Sequence, residues 1–495
     1  MKSWSTKASF SLFFIACLNL SGFGKAHFNF NSESKQAYKQ AFSANYSGSI
    51  ATSSKQIASG NLCGIYTNAL ARFLDVTFAG NESEDKKLVE FLSQQIDILD
   101  DAPNHEFAGF AKGELSLFEA ISHLRLGESF SAALAMRRAY NYLEDNLENY
   151  PNFKLAQKSL CMVQALLSKI PSSYKGIVEF MGYETDISVA LTNLNDLSQS
   201  LINNETYGGF KNEVEIYRGI IMLKLTQKFH EGFDIIKQAT NDYKNNVISC
   251  YVRGKLALDS KRTNEAIEIL SIYAGPNSPI GFINYEIANA YLYKLDKKAS
   301  LYYSYFIRNS KGLILLKDTY LRLAWDAYLK GLDDNVKSWL KLIETQTTSN
   351  HERDETAVKE AKTFYKTDKT LLTVRLHFDG GFYEYALNIL QKDQERLLKS
   401  NYTRIRYYYQ SARLYQDMNM FNEAIINFKL TVNEPFIENE YLVPVSYFNM
   451  GIIYEEHLHK KPDAIQAYTR CLEFSNYPYE SSYKYRSKMA LKRLK

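Results

Sequence analysis

Two small residues recur at a near-constant separation inside stretches otherwise crowded with bulky side chains. In "YYYQSARLYQDMNMFNEAIINFKLTV", residues 407–432, they are Ala412 and Ala424. Tyr408, Ala412 and Tyr415 fall on one face of a helix, and a turn at "MNMF" separates them from a second helix bearing Ala424 and Phe428. Two antiparallel helices approach closely only where a side chain is small, so the alanines mark the contact and the aromatics fill the space around it. The same arrangement pairs Gly451 with Ala464, Gly254 with Ala266 and Ala288 with Ala299, while Gly232 and Ala133 mark two earlier copies. From Gly232 to Ala266 is 34 residues and from Ala266 to Ala299 is 33; later intervals widen to around 40. Such a chain folds as stacked helix hairpins, each burying its apolar face on its neighbours: an all-α, superhelical α-solenoid.

Composition agrees. Nine prolines and 23 glycines in 495 residues leave few breaks for short strands, and 45% apolar content is ample for a buried core. The hairpins divide into an N-terminal array over 27–345, a polar connection over 346–366 that includes "HERDE", and a C-terminal array over 367–495. The last array ends in a solvated capping helix, "YESSYKYRSKMALKRLK".

The first 26 residues have an export pattern. Lys2 and Lys7 precede an apolar run from Phe10 to Leu20, and "SGFGKA" leads out to Ala26. The run is short of the roughly 20 residues a bilayer span needs. The first arginine is Arg72, which argues against an arginine-rich mitochondrial presequence. "FIAC", Phe14 to Cys17, is a weak lipobox-like match, so a lipid anchor at Cys17 is the alternative. Without residues 1–26, Lys+Arg falls from 59 to 56 against 55 Asp+Glu, a balance of +1. That argues against a nucleic-acid partner held by its phosphates. The basic tail from Lys484 complements a helix C-terminus. No later apolar run reaches transmembrane length. The expected address is the periplasm or cell envelope, with an outer-membrane lipoprotein as alternative.

Nothing in the sequence points to chemistry. Cys63, Cys161, Cys250 and Cys471 form no CxxC pair and sit in apolar helical patterns, which reads as buried thiols and leaves disulfides open. His457 and His459 flank Leu458 in a turn, and "HEGFD" and "HERDE" lack the second histidine of a zinc motif. We expect no catalytic, metal-binding or cofactor-binding residue, and no cofactor.

The period and its small and aromatic positions resemble the tetratricopeptide repeat (TPR). Three segments, "LLSKIPSSYKGIVEFMGYETDISVAL", "CYVRGKLALDSKRTNEAI" and "EYLVPVSYFNMGIIYEE" with the closing "YKYRSKMALKRLK", resemble the eukaryotic tetratricopeptide repeat protein 39 family. Its fungal branch is associated with inclusion-body clearance. The similarity runs patchily from about Ala41 to Lys495. It implies a helical array with an interaction role and no catalytic residues. Those relatives are largely intracellular, and the export pattern departs from them; with low Pro and high Lys, Asn and Tyr it suggests a bacterial envelope protein.

TPR arrays bind peptides on the side formed by the first helix of each pair. Arg404, Arg406, Tyr407 and Tyr409 belong to such a helix here and are the candidate peptide-binding surface. "YYY" at Tyr407–Tyr409 and "SLYYSYF" with Tyr302, Tyr303 and Tyr305 spread tyrosines round more than one helix face, and tyrosine is enriched at binding surfaces. The reading is an exported, non-catalytic TPR scaffold for a protein or peptide. The rival is a glycan-capturing outer-membrane lipoprotein with TPR helices; such proteins carry a convincing lipobox and long aromatic-rich loops, whereas beyond the export segment this chain offers only Trp325 and Trp339 besides its tyrosines.

Overall fold

A computed structural model describes residues 25–167, 187–226, 229–435 and 440–494. The apolar export segment, Cys17 and most of "LLSKIPSSYKGIVEFMGYETDISVAL" lie outside the described residues. Among the described residues the chain is all-α, with 25 helices and no strand. It forms two compact units: one from the described residues up to Arg253 together with Ser310–Ile314, the other from Gly254–Asn309 and from Leu315 onward.

The first unit holds α1 (Ser32–Phe42), α2 (Tyr46–Ala58), α3 (Cys63–Ala79), α4 (Glu82–Asp100), α5 (Glu106–Arg125), α6 (Ser129–Asn149), α7 (Ala156–Leu167), α8 (Ile187–Ser200), α9 (Lys211–Leu225), α10 (Phe229–Ala239) and the start of α11 (Val247–Asp259). Antiparallel neighbours meet where the side chain is missing. A Cβ on Gly113 of α5 would sit 2.5 Å from Leu143 of α6, and one on Gly219 of α9 only 2.4 Å from Ile236 of α10. A Cβ on Gly232 would lie 2.9 Å from the Gly219 carbonyl oxygen. Ala133 departs from the expected register. It is only half-buried, whereas Ala132 and Ala135 are buried, because the face of α6 turned inward runs through Ala132, Ala135, Met136, Ala139 and Leu143.

The second unit continues with α12 (Thr263–Leu270), α13 (Gly281–Tyr293), α14 (Lys298–Asn309), α15 (Leu316–Leu329), α16 (Asp333–Thr345), α17 (Glu352–Lys362), α18 (Lys369–Asp379), α19 (Tyr383–Lys392), α20 (Gln394–Leu397), α21 (Asn401–Asp417), α22 (Phe421–Asn433), α23 (Leu442–Ile452), α24 (Lys461–Leu472) and α25 (Glu480–Leu494). Ala266, Ala288, Ala299, Ala412, Ala424 and Ala464 are all fully buried. A Cβ on Gly254 would meet Leu270 at 2.4 Å, and one on Gly451 would meet Tyr468 at 2.6 Å. Replacing Ala424 by Leu is therefore expected to overpack the α21–α22 contact and cost about 1–3 kcal/mol, read from the denaturant midpoint.

The hairpin turns are one motif repeated. Each first helix ends on a residue with positive φ: Lys261, Leu295, Gly331, Gly381, Asn419 and His459. The next residue then donates its N–H back to the last turn. Arg262 bonds the Ala257 carbonyl at 2.8 Å, Leu332 that of Ala327 at 2.9 Å, and Met420 that of Tyr415 at 2.8 Å. This is the Schellman closure, which satisfies carbonyls that the helix end would otherwise orphan. The extra residue in the α23–α24 connection is absorbed by a π-turn over Ile453–His457. Leu295 holds φ at 55° although it carries a Cβ. Leu295→Gly is expected to raise stability by up to about 1 kcal/mol, the left-handed penalty being larger than glycine's added unfolded-state entropy. Chemical denaturation checks it, and Gly331→Ala, where φ is 74°, should move the midpoint the other way.

The 346–366 segment is not a bare connection. It contains α17, whose Asp354 is buried and accepts the N–H groups of Leu315 and Asp318 at 2.7 and 2.9 Å, capping α15. Glu352, Glu355, Lys359 and Lys362 of the same helix are exposed, so it is an amphipathic helix seated by Asp354 and Ala357, and the compact units divide at Arg253/Gly254. The four described cysteines are buried and form no disulfide, and burial pushes the thiols of Cys63, Cys161 and Cys250 up to about 12. Among the described residues no helix is long and apolar enough to cross a membrane.

Candidate functional site

In the second unit the first helices of successive hairpins, α13, α15, α18, α21 and α23, adjoin one another. The turns are stitched together. Lys261 Nζ lies 2.5 Å from Asp417 and 3.4 Å above the Phe378 ring. The Thr263 hydroxyl donates to the Gly380 carbonyl at 2.7 Å, and His377 Nδ1 sits 3.1 Å from the Tyr293 carbonyl. The residues just past the small packing position therefore share one face. Arg375 follows Val374 and Arg413 follows Ala412, with Asp379 and Asp417 four residues further on.

Arginines and aromatic rings alternate along this face. The Arg353 guanidinium donates to the Tyr285 hydroxyl at 3.0 Å. Arg322 packs over Tyr285 and Trp325, with Cζ 5.9 and 5.7 Å from the ring centroids, and its Nε donates to Asp318 at 2.5 Å. Arg375 lies 4.8 Å over Trp325, is bidentate to Glu360 at 3.1 and 3.2 Å, and still exposes 45% of its side chain. Arg413 packs 5.0 Å over Phe378 and reaches the Tyr409 hydroxyl at 3.3 Å, and Arg486 lies 4.4 Å over Phe448. Tyr441, 36% exposed, packs edge-on to Tyr409 at 5.8 Å. Asp379 lies within the field of Arg375, Lys261, Arg322 and Arg413, yet burial raises its carboxyl above the usual range. Stacked guanidiniums keep their N–H edges free for acceptors, so the face is chemically a set of positioned donors on an aromatic floor.

The residues singled out from sequence scatter. Tyr409 is buried in the α21–α22 core beneath this face, with its hydroxyl at Arg413 and its ring against Tyr441. Tyr407, two residues earlier on the same helix, points away and packs in the core with Leu371, Val374 and Leu414. Arg404 is bidentate to Glu434 at 2.7 and 2.8 Å; Arg406 pairs with Glu440 at 2.5 Å and stacks on Tyr402 at 3.5 Å. Sequence reasoning missed Arg322, Arg353, Arg375 and Arg486. It missed Arg413 as well, and a positional signal existed only for Arg375 and Arg413, each directly after the packing position of a first helix (Val374, Ala412) and four residues before an Asp.

A second polar constellation lies in the first unit and is sealed. Lys158 Nζ donates to Glu114 Oε2 at 2.9 Å and to Glu213 Oε1 at 2.7 Å, and all three side chains are buried. Tyr38 donates to the other Glu213 oxygen at 2.7 Å. The rings of Phe110, Phe210 and Tyr217 close round the ammonium at 5.3–5.9 Å. Burial raises the Glu114 carboxyl to about 7, Glu213's charge pushing the same way and Lys158 opposing. Lys158 is fully buried, so no substrate reaches its amine; the cluster orders the core.

Histidines have structural partners: His351 Nδ1 caps α17 through the Arg353 N–H at 3.2 Å, and His457 stacks on Phe421 at 4.0 Å. Among the described residues no three His, Cys, Asp or Glu side chains gather as metal ligands.

No family model matches this chain, and no curated protein matches it. Solved structures similar to it include the human IFIT1 dimer with m7Gppp-AAAA, at 15% identity, covering 82% of this chain and 85% of that one, with a TM-score of 0.31. Yeast Tom70 aligns at 13% identity over 93% of this chain and 95% of its own, TM-score 0.25. The APC/C hetero-tetramer Cut9–Hcn1 aligns at 12% identity over 94% and 99%, TM-score 0.23. The assignment of a TPR-like α-solenoid rests on the chain's own repeated hairpins and turns.

Proposed function

We propose that this protein is an exported, TPR-like scaffold that binds a protein or peptide on the arginine–aromatic face of its second unit and does no chemistry. The observation that carries the reading is Arg375. Its guanidinium is held flat on Trp325 and by Glu360 yet remains 45% exposed, beside Tyr441, in a setting of Arg and Tyr that interface hot spots favour. The patchy resemblance to the tetratricopeptide repeat protein 39 family supports the same non-catalytic role. The basic and apolar pattern of residues 1–26 supports export to the envelope. Glycan capture has less support. One face of Trp325 is taken by Arg375, and Trp339 stacks on Tyr320 at 5.9 Å.

The test is crosslinking in intact cells of the native source, isolation of the chain, and mass spectrometry with sequencing of its N-terminus. A recurrent envelope protein, with the mature chain starting at His27, is the expected result. No protein partner, together with lipid on Cys17, would replace this reading with the glycan-binding lipoprotein.

A further inference from the structure

On the face described above, most charges are already spent. Asp318 holds Arg322, Glu360 holds Arg375 and Asp417 holds Lys261. Arg353, Arg413 and Arg486 have no carboxylate within ion-pair distance among the described residues. Arg353 is tied only to a tyrosine hydroxyl and Arg413 only to another, at 3.0 and 3.3 Å. Each is backed by a ring that fixes its plane: Tyr285 at 6.0 Å, Phe378 at 5.0 Å, and Phe448 at 4.4 Å for Arg486. A guanidinium oriented in this way and lacking an anion is preorganised for a bidentate carboxylate. Against these three open cations stands one open acid. Asp379 accepts no hydrogen bond among the described residues, and it sits among the arginines.

We infer that this face takes an extended acidic peptide, with partner carboxylates on Arg353, Arg413 and Arg486 and a partner backbone N–H on Asp379. The inference rests on the scaffold reading above and names the chemistry of its partner. Asp379 decides between polyanions. A peptide can turn an N–H toward it, whereas a continuous phosphate backbone would bring charge against charge. The exposed ring of Tyr441 supplies apolar contact between the carboxylate sites, so glutamates interspersed with aromatic residues fit better than an unbroken acidic run.

The experiment uses the full purified chain and a fluorescent twelve-residue peptide alternating Glu and Tyr, with its Gln-for-Glu counterpart and a twelve-nucleotide single-stranded RNA as competitors. Polarisation should show the Glu peptide binding about tenfold or more tighter than the Gln peptide. Arg353→Gln with Arg413→Gln should remove most of that advantage while the thermal melt stays in place, and raising salt should weaken the Glu peptide alone. Equal binding of the Glu and Gln peptides, or RNA competing as well as the Glu peptide, would overturn the inference. So would a partner, captured in cells through this face, whose bound segment carries no acids; the scaffold reading would then stand. Failure to capture any protein would sink that reading instead.

Discussion

Replacing Lys158 by methionine is expected to destabilise the first unit by about 3–5 kcal/mol, the largest loss we foresee from one side chain. The ammonium is wholly buried and serves Glu114 and Glu213 together, at 2.9 and 2.7 Å. Methionine matches its length and apolar stem but leaves two buried carboxylates without a cation. Denaturant unfolding followed by circular dichroism reads the loss; a variant within about 1 kcal/mol of the parent would show that the pair does not need its lysine. Adding Glu114→Gln to Lys158→Met should recover part of the loss, because one of the stranded charges is then gone.

The same cluster sets a pH dependence whose sign follows from Glu114. Its carboxyl is raised from 4.5 to about 7 in the folded chain, burial being the main cause. The folded state therefore binds a proton that the unfolded state has released between those values. Stability from this group is fully present below about 4.5 and is lost as pH rises through about 7. Burial alone would pull Lys158 down, but the two carboxylates outweigh it and hold it above its ordinary 10.5, so it does not titrate in that window. Glu114→Gln should flatten the slope between pH 5 and pH 7. It keeps an acceptor for Lys158, and its amide can donate toward the Tyr66 hydroxyl, which is buried beside Glu114 without a well-formed hydrogen bond.

The second large effect is expected at Gly381. Its φ is 78°, and an added Cβ would lie 2.2 Å from the backbone carbonyl of Lys261. Gly381→Ala combines a left-handed penalty with a backbone clash that no rotamer relieves, about 2–4 kcal/mol in all. The displacement would fall where Lys261 meets Asp417 and Thr263 meets Gly380. The loss should therefore appear as a lower unfolding midpoint and as faster hydrogen exchange in α18 and α21. Unchanged exchange in both helices would mean that the turns do not hold this face together.

The repeat was legible because it is written in residue size. Ala412 and Ala424 stand out among tyrosines and phenylalanines, and both are fully buried where the hairpin closes. The positive-φ turns were partly legible: Gly331 and Gly381 mark themselves, whereas Lys261, Leu295 and His459 carry side chains that give no hint of a left-handed backbone. The site was read poorly. Consecutive tyrosines drew attention to Tyr407 and Tyr409, but a helix turns about 100° per residue, so the two rings are buried in different core clusters and only the Tyr409 hydroxyl reaches an arginine, Arg413. Arg404 and Arg406 looked available because Glu434 and Glu440, which neutralise them, lie some 30 residues away. Arg353 was hidden for the opposite reason. It stands in a polar stretch without an apolar stripe, and only the fold brings it to Tyr285, 68 residues earlier.

Whether this face meets a partner can be read with a photo-crosslinking residue at Tyr441, on the arginine–aromatic face, and separately at Ile426, which is 58% exposed on α22. Each variant is irradiated in living cells and its adducts compared. The scaffold described here predicts a discrete protein adduct from position 441, reduced by Arg353→Gln with Arg413→Gln, and none of that adduct from position 426. The same adduct from 426 with nothing from 441 would place recognition on the second helices and contradict it.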